Sequence, residues 1–323
     1  MLRDSGARSL PSDLRAASPT RLTSSSPIQG SMSYGGSRSG SCYRVPMQST
    51  GNTASCTPWL ARRCRCHGYM RCAKDAAIIG SAFYVMEFLD GRVFWDQRLP
   101  RLAPADRRAM FDSMNAVIAG LHSVDHIAVG LEGFGRPGNY MARQIGRWSK
   151  QYQASETEPQ PVMDALIEWL SRHLPPEEAP RIVHCDYRMD NLVFHKTEPR
   201  AIGVLDWELS TIGDPLADFA YHVMTWRVTP ELFRGLSGID FASLGIPTED
   251  EYVAAYCRRT GRGPIPGWDF YIVYSLFRLA AIMQGIAKRA IEGTAASDEA
   301  VELGRRARPV GEQAWALARS LGA

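Results

Sequence analysis

Two short segments in the second half of the chain constrain its chemistry more than any other feature. In the segment 184–191, Asp186 stands five positions before Asn191, and Asp206 follows an apolar stretch a little further along. One carboxylate can accept the proton of an acceptor hydroxyl, while an amide and a second carboxylate supply the oxygen ligands that Mg²⁺ prefers. Transfer of a phosphoryl group from ATP needs little more than these groups in position. The spacing therefore favours a phosphotransferase.

Short strands are predicted before each of these two segments. One covers Arg181–Val183, and the other covers Ile202–Leu205 and leads directly into Asp206. Asp214 and Pro215 then have the residue types of a helix N-cap and of a first helical position. From there the sequence predicts helices to the end of the chain.

Three amphipathic helices are predicted before the motif. The first opens at Pro104, and the others cover 140–152 and 161–174. The apolar residues of the first helix recur on one face: Met110, Phe111, Met114, Val117, Ile118 and Leu121. The most apolar segment of the chain, 270–287, is interrupted by Arg278. We therefore interpret it as a buried helix and expect no membrane span.

A β-hairpin is predicted at the start of the ordered part of the chain. Ile78–Ile79 would form one strand, Gly80 and Ser81 the turn, and 82–89 the second strand, which is rich in aromatic and β-branched residues. Ordered structure is thus expected to begin near Ala76.

Residues 1–74 differ in composition from the rest of the chain. They hold ten Arg and one Lys against two Asp, a net charge of +9, whereas the remainder has 26 basic and 32 acidic residues. Their Ser, Arg, Gly and Pro content, without periodic apolar residues, predicts disorder. We therefore divide the chain into a disordered or mistranslated leader at 1–74, a remnant of a first lobe with its hinge at 75–91, and a second lobe at 92–323.

Other interpretations of the leader stay open. Its composition, rich in Arg and Ser and poor in acids, also fits an organellar transit peptide. The cluster of Cys64, Cys66, His67 and Cys72 could bind zinc, although its spacing matches no common site. The abrupt change of composition near Ala76, in a chain that prefers Arg to Lys, indicates a frame-shifted translation of GC-rich coding DNA. Because no apolar signal-peptide core occurs at the N-terminus, the globular part is expected in the cytoplasm.

Taken together, these motifs resemble the aminoglycoside phosphotransferase (choline kinase-like) family of the protein-kinase-like fold. Three of its patterns occur at 184–191 (H-x-D-x4-N), 205–207 (Leu-Asp-Trp) and 213–220 (G-D-P-x-x-D-x-A). The segments 83–88 and 143–148 are similar to the subgroup related to the kinase-like domain fused to some acyl-CoA dehydrogenases. The resemblance runs from about Ile78 to the C-terminus. It implies an α+β fold, protein-kinase-like, with a mostly helical C-lobe and a truncated β N-lobe.

The resemblance assigns roles to five residues of the motif. Asp186 would accept or orient the proton of the substrate hydroxyl, Arg188 would contact the transferring phosphate, and His184 would brace the loop. Asn191 and Asp206 would bind Mg²⁺. The alternatives are a surface ion pair for Arg188 and a turn-forming role for Asp206.

The resemblance also implies a site for ATP. The backbone around Glu87 and Phe88 would hydrogen-bond adenine. Asp218 would complete the nucleotide site by tying down the catalytic loop through backbone N–H groups, unless it only satisfies the start of a helix. His122 is expected to be structural, and Cys185 is expected to be chemically inert.

Two expected parts of the fold are missing from the sequence. No Gly-rich loop flanked by strands precedes Ile78, and Lys74, the only lysine before the hinge, lies too close to the hinge to contact nucleotide phosphates. Activity of the chain as written is therefore doubtful, and a catalytically inactive, pseudokinase-like binding protein is the alternative to a small-molecule kinase. The acceptor would be a small hydroxylated metabolite, of the acyl-CoA type by subgroup resemblance. Neither nucleic acid nor a membrane is expected as a partner.

Overall fold

Two antiparallel strands come first along the described part of the chain. The computed structural model describes residues 69–73, 83–86, 88–136, 138–294 and 298–323. Strand β1 (Tyr69–Ala73) pairs with strand β2 (Phe83–Met86), and Ala73 lies opposite Phe83.

Strand β2 lies within the second strand of the predicted hairpin. A strand is present at Phe83–Met86 and pairs with Tyr69–Ala73, whereas the predicted first strand, Ile78–Ile79, lies outside the described residues. The partner strand lies within the residues predicted as a structureless leader, because its short Tyr- and Met-containing run carries no periodic signal of its own. Pairing with β2 satisfies backbone groups that a lone strand would leave unpaired. The remainder of the leader, 1–68 and Lys74, lies outside the described residues, so its nature stays a prediction.

A three-stranded antiparallel sheet follows, in the order β3, β5, β6. Its strands are β3 (Gly91–Arg92), β5 (Leu192–His195) and β6 (Ala201–Val204). A side chain on Gly91 would collide with the backbone carbonyl of Phe194 on the neighbouring strand, so glycine is required there. The strand predicted before Asp206 is confirmed as β6, although it begins and ends one residue earlier than predicted. The apolar strand pair expected between Asn191 and Asp206 is present as β5 and β6, whereas β3 was not predicted.

A second strand pair brings the two candidate segments together. Strand β4 (Arg181–Val183), where a strand was predicted, pairs antiparallel with β7 (Thr211–Gly213). The motif loop (184–191) connects β4 to β5, and the facing loop (205–210) connects β6 to β7. Because β4 pairs with β7 and β5 pairs with β6, these two loops lie side by side.

Three helices precede the motif loop in the described part of the chain. Helix α1 (Pro104–His122) begins with proline at its first position and buries the six apolar residues predicted for its inner face. Helices α2 (Tyr140–Ser155) and α3 (Pro161–Arg172) follow, with bounds within a few residues of those predicted.

The chain beyond β7 is helical, as predicted. Its helices are α4 (Pro215–Val223), α5 (Pro230–Phe233), α6 (Phe241–Leu244), α7 (Glu249–Thr260), α8 (Trp268–Ile291), α9 (Asp298–Arg305) and α10 (Ala307–Ser320). Helix α4 starts at an Asp214 N-cap, whose side chain accepts from the N–H groups of Leu216 and Ala217. This N-cap was predicted from the Asp-Pro pair.

Helix α8 is the central element of the helical lobe. It packs against α2, α4, α9 and α10. Among the described residues it is the one helix long and apolar enough to span a membrane, but 83% of its most apolar stretch is buried within the protein. The structure therefore agrees with the predicted buried helix at 270–287.

Candidate active site

The candidate site lies where the motif loop and the facing loop meet. The N–H of Leu205 donates to the carbonyl of Asn191 over 2.8 Å, which ties the end of one loop to the start of the other. Asp186 and Asp206, one from each loop, are close enough for the negative charge of Asp186 to contribute to the raised pKa of Asp206. The three oxygen-bearing residues predicted from spacing are thus brought together.

Asn191 connects the two ends of the motif loop. Its Nδ2 donates to the backbone carbonyl of Asp186 over 2.8 Å and to Asp186 Oδ2 over 3.1 Å. Both amide hydrogens are used in these bonds, so the amide oxygen is the Asn191 atom left to serve as a ligand. An amide oxygen is a suitable ligand for a hard cation such as Mg²⁺.

Asp206 has an unusual backbone and a perturbed carboxyl group. Its φ of 62° lies in the left-handed region, which few residues other than glycine adopt. Partial loss of hydration and the negative charge of Asp186 raise the pKa of Asp206, even though one side of the residue stays open to solvent. Partial loss of hydration and the negative charges of Asp206 and Asp186 likewise raise the pKa of the nearby Glu208. The site therefore concentrates negative charge that a cation would stabilise.

Arg188 is paired with Asp186 in this structure. Its Nη2 donates to Asp186 Oδ2 over 3.2 Å, and its Nε lies 3.0 Å from Asp186 Oδ1. Asp190 lies 3.5 Å from Arg188 Nη2 and accepts from Arg234 Nη1 over 2.6 Å. The ion pair considered for Arg188 is therefore present, but it is largely buried in the site and not on the surface. The phosphate contact stays a prediction.

His184 holds the two loops together through both ring nitrogens. Its Nε2 donates to the carbonyl of Leu205 over 2.8 Å, and its Nδ1 accepts from the N–H of Asp186 over 3.2 Å. These partners assign the proton to Nε2. Because neither nitrogen is left to accept a substrate proton, the geometry suits bracing and not acid–base chemistry.

Asp218, on helix α4, holds the start of the motif loop from inside the protein. It accepts from the N–H groups of His184 and Cys185, each over 2.7 Å, and from His122 Nε2 over 3.1 Å. Burial would raise the pKa of Asp218, but the hydrogen bond from His122 and the positive potential around the carboxylate outweigh burial and lower the pKa. The bracing contact expected of Asp218 is present, and its part in nucleotide binding stays a prediction.

Cys185 lies beside the base without chemistry of its own in this setting. It is buried, and burial together with the negative charge of Asp218 raises the pKa of the Cys185 thiol to about 12. A thiol that stays protonated at neutral pH is a poor nucleophile. This agrees with the expectation that Cys185 is inert.

The predicted adenine contacts lie at the edge of the described structure. Glu87 lies outside the described residues. The Phe88 side chain is 70% exposed. Their roles stay predictions.

Four charged residues in or near the loops were not among the predicted site residues: Asp190, Glu208, Arg234 and Arg278. Glu208 follows Asp206 in the same short run, so its position could have been read from that motif. Arg278 was noticed only as an interruption of an apolar helix, although a charge inside such a helix needs a polar partner. Arg234 gave no sequence signal.

The donors present fit a magnesium ion better than a transition metal. Within the part of the chain that the structure describes, no three His, Cys, Asp or Glu side chains are grouped to hold a metal. The Asp206 carboxylate and the Asn191 amide oxygen form an incomplete oxygen set, with the Asp186 carboxylate beside it. Mg²⁺ ordinarily completes such a set with water and phosphate oxygens.

Comparison with known proteins places the chain among phosphotransferases. The family model described as "Phosphotransferase enzyme family" matches residues 57–271, well over half of the chain. Acyl-CoA dehydrogenase family member 10 of Mus musculus is 43% identical over 251 residues, which cover 77% of this chain and 24% of the relative. Acyl-CoA dehydrogenase family member 11 of Rattus norvegicus is 41% identical, with 76% and 32% covered. The chain thus spans about a quarter to a third of these curated relatives.

Solved structures show the same fold. A candidate aminoglycoside phosphotransferase from Ralstonia eutropha is 52% identical with a TM-score of 0.78, and the match covers 81% of this chain and 80% of that chain. Aminoglycoside phosphotransferase APH(4)-Ia, in a complex with AMP-PNP and hygromycin B, is 12% identical with a TM-score of 0.52, and 82% of each chain is covered. The α+β, protein-kinase-like fold class is confirmed. The chain belongs to the phosphotransferase enzyme family, as the patterns at 184–191 and 213–220 predicted.

Proposed function

We propose that this chain transfers the γ-phosphate of ATP to a hydroxyl group of a small metabolite. The observation that supports this most is the convergence of Asp186, Asn191 and Asp206 in two loops joined by hydrogen bonds. Family membership supports the reaction class. Nucleotide use is supported by the related fold of APH(4)-Ia, which binds AMP-PNP.

Asp186 is proposed to orient the acceptor hydroxyl and take its proton. The hydroxyl oxygen forms a bond to the γ-phosphorus while the bond from that phosphorus to the β-phosphate oxygen breaks, which leaves ADP. Asp186 Oδ2 is fixed by Arg188 and Asn191 at 3.2 and 3.1 Å, so the carboxylate has a defined direction before substrate binds. Arg188 is near enough to exchange its contact with Asp186 for one with the moving phosphoryl group.

Asn191 and Asp206 are the residues proposed to hold Mg²⁺, which would neutralise phosphate charge. Two observations support these residues as ligands. The hydrogen bonds of Asn191 use its Nδ2 and leave its amide oxygen for a cation, and the negative charge of Asp186 repels that of Asp206. A carboxylate with a raised pKa gains from a nearby cation, because the cation favours the ionised form.

The acceptor is proposed to be a hydroxylated acyl thioester of the acyl-CoA type. The names of the relatives support this choice, since two of the most similar are acyl-CoA dehydrogenase family members. Hygromycin B bound to APH(4)-Ia supports the more general statement that this fold accepts small hydroxylated molecules. The cytoplasm is the proposed compartment, consistent with the free thiols of Cys185 and Cys257.

Mass spectrometry of a transfer reaction tests the proposal. The full chain would be incubated with Mg·ATP and with hydroxylated acyl-CoA thioesters, the matching free hydroxy acids and an aminoglycoside. We expect slow formation of a phosphorylated acyl thioester and, for Asp186→Asn, a loss on the order of 10³-fold. Glu132→Gln, an exposed loop carboxylate, is the matched control and should keep full activity. ATP binding without phosphorylation of any acceptor would favour the pseudokinase-like alternative.

A further inference from the structure

One arginine lies buried directly beneath the motif loop. Arg278 is on the central helix α8, and only 6% of the residue is exposed. Its Nη2 donates to the backbone carbonyl of Cys185 over 2.6 Å. Cys185 is the residue immediately before Asp186, so this contact reaches the peptide group that carries the proposed base.

The surroundings of Arg278 are aromatic and not acidic. The guanidinium lies 4.0 Å from the ring centre of Tyr221 and 5.1 Å from that of Trp148. Among the described residues no ion pair to Arg278 is present, the groups that act most on its charge are tyrosines and Cys185, and its Nε makes no hydrogen bond. Burying a cation without a counter-ion is unfavourable for folding, and contacts with aromatic faces offset only part of that. A purely structural role could be filled more favourably by an apolar side chain.

The contact from Arg278 completes the restraint of the peptide between Cys185 and Asp186. The N–H of this peptide donates to His184 Nδ1 over 3.2 Å, and its carbonyl accepts from Arg278. The two preceding N–H groups are both held by Asp218. Cys185 itself has a left-handed φ of 65°, which is unfavourable for a residue with a side chain and needs such restraints.

We infer that Arg278 is a positioning residue for Asp186, fixing the carbonyl side of its peptide while His184 and Asp218 fix the N–H side. This inference rests on the proposed function, in which Asp186 takes the proton of the acceptor hydroxyl. Helix α8 is thereby connected to the reacting groups through one hydrogen bond. Trp148 of helix α2, in the segment 143–148 that pointed to the family subgroup, keeps the guanidinium in place.

Hydrogen exchange across residues 184–188 tests this inference whether or not the chain turns over. In Arg278→Met we expect exchange there to be on the order of tenfold faster, because the peptide carbonyl is released. Arg278→Lys keeps a cation and a donor under the carbonyl and should restore most of the protection. Arg289→Met, the same change at an exposed position of the same helix, is the control and should match the parent chain. The thermal midpoint of Arg278→Met should stay within about 3 °C of the parent, because a buried unpaired charge is removed.

If the parent chain transfers phosphate, its steady-state kinetics give a second test. Arg278→Met should lower kcat on the order of 10²-fold with KM for ATP little changed, since misplacing a catalytic group affects the transition state more than binding. Absence of transfer in the parent chain would count against the proposed function alone, and exchange would still decide the role of Arg278.

Two results would overturn the inference. One is exchange at 184–188 in Arg278→Met equal to that of the parent. The other is a drop in thermal midpoint with faster exchange across the whole of α8 in both the Met and the Lys variants, which is the behaviour of a structural residue. If Arg278→Met lacks a cooperative thermal transition, Arg278→Gln replaces it, with the same expected acceleration and the same contradicting results.

Discussion

Single residues in this site restrain backbone that would otherwise be unfavourable. Cys185 and Asp206 both have left-handed φ values, 65° and 62°, one in each of the two loops. For residues with side chains this conformation costs about 1 kcal/mol or more each. Asp218 holds the N–H of Cys185, and the residue before Asp206 bonds to His184. The side chains behind the loops therefore determine where the two carboxylates point.

Asp218→Asn tests this restraint through its pH dependence. The folded-state pKa of Asp218 is lowered, so its ionised form contributes stability above pH 4 that is lost as pH falls through the lowered pKa. The variant replaces the ionised carboxylate, which accepts three hydrogen bonds, with a neutral amide. We therefore expect it to be less stable than the parent by about 3 kcal/mol at pH 7. Urea unfolding from pH 7 to pH 3 should show this deficit shrinking at the acid end.

The control for that experiment is Asp164→Asn, an exposed carboxylate on helix α3. It should change stability little at any pH. A deficit in Asp218→Asn that stays constant down to pH 3 would mean that the charge of Asp218 does not hold the loop.

Among the secondary-structure elements, helix α4 carries both the N-cap residue Asp214 and the residue Asp218 that holds the motif loop. Asp214 caps the helix, and Asp218 lies one turn further along. Burial, only partly offset by hydrogen bonds from the N–H groups of Leu216 and Ala217, raises the pKa of Asp214 to about 6. The helix that carries the brace therefore begins at a carboxyl group that is unfavourable to ionise.

Asp214→Asn should stabilise the protein at neutral pH. A folded-state pKa of about 6 means that the folded protein binds this proton more tightly than the unfolded chain. The parent chain thus loses stability as pH rises from about 4 to 6. Asparagine caps helices as well as aspartate does, so we expect a gain of up to about 3 kcal/mol at pH 7 and none near pH 4.

Thermal and urea unfolding at pH 4 and pH 7 measure this gain. Asp240→Asn makes the same change at the exposed N-cap of α6, where no such gain is expected. An Asp214→Asn variant less stable than its parent at pH 7 would show that the ionised cap is preferred.

Elements whose sequence signal lies within a few neighbouring residues could be predicted. Elements that depend on contact with a distant part of the chain could not. The N-cap pair Asp214–Pro215 and the spacing from Asp186 to Asn191 carry their signal within a few residues. Strand β1 was missed, because its pairing with β2 is a tertiary contact. The contact of Arg278 joins positions 93 residues apart, so no local pattern could indicate it.

For the molecule as a whole, helix α8 is largely buried among its neighbours, and we predict that it does not act as a membrane anchor. The full chain should therefore remain unbound when mixed with neutral phosphatidylcholine vesicles and floated on a density gradient. Neutral lipid is used because the basic residues of 1–74 would bind anionic vesicles by charge alone. Flotation of the chain with neutral vesicles would show that α8 leaves the core to enter lipid.

We propose above all that Asp206 and Asn191 form a magnesium site for a nucleotide beside Asp186. Titration calorimetry of Mg·ATP into the full chain tests it most directly, with EDTA, Asp206→Asn and Glu132→Gln as comparisons. We predict binding that requires Mg²⁺, that is weakened at least about tenfold in Asp206→Asn and that is unchanged in Glu132→Gln. ATP binding of equal strength in EDTA, or in Asp206→Asn, would contradict the claim.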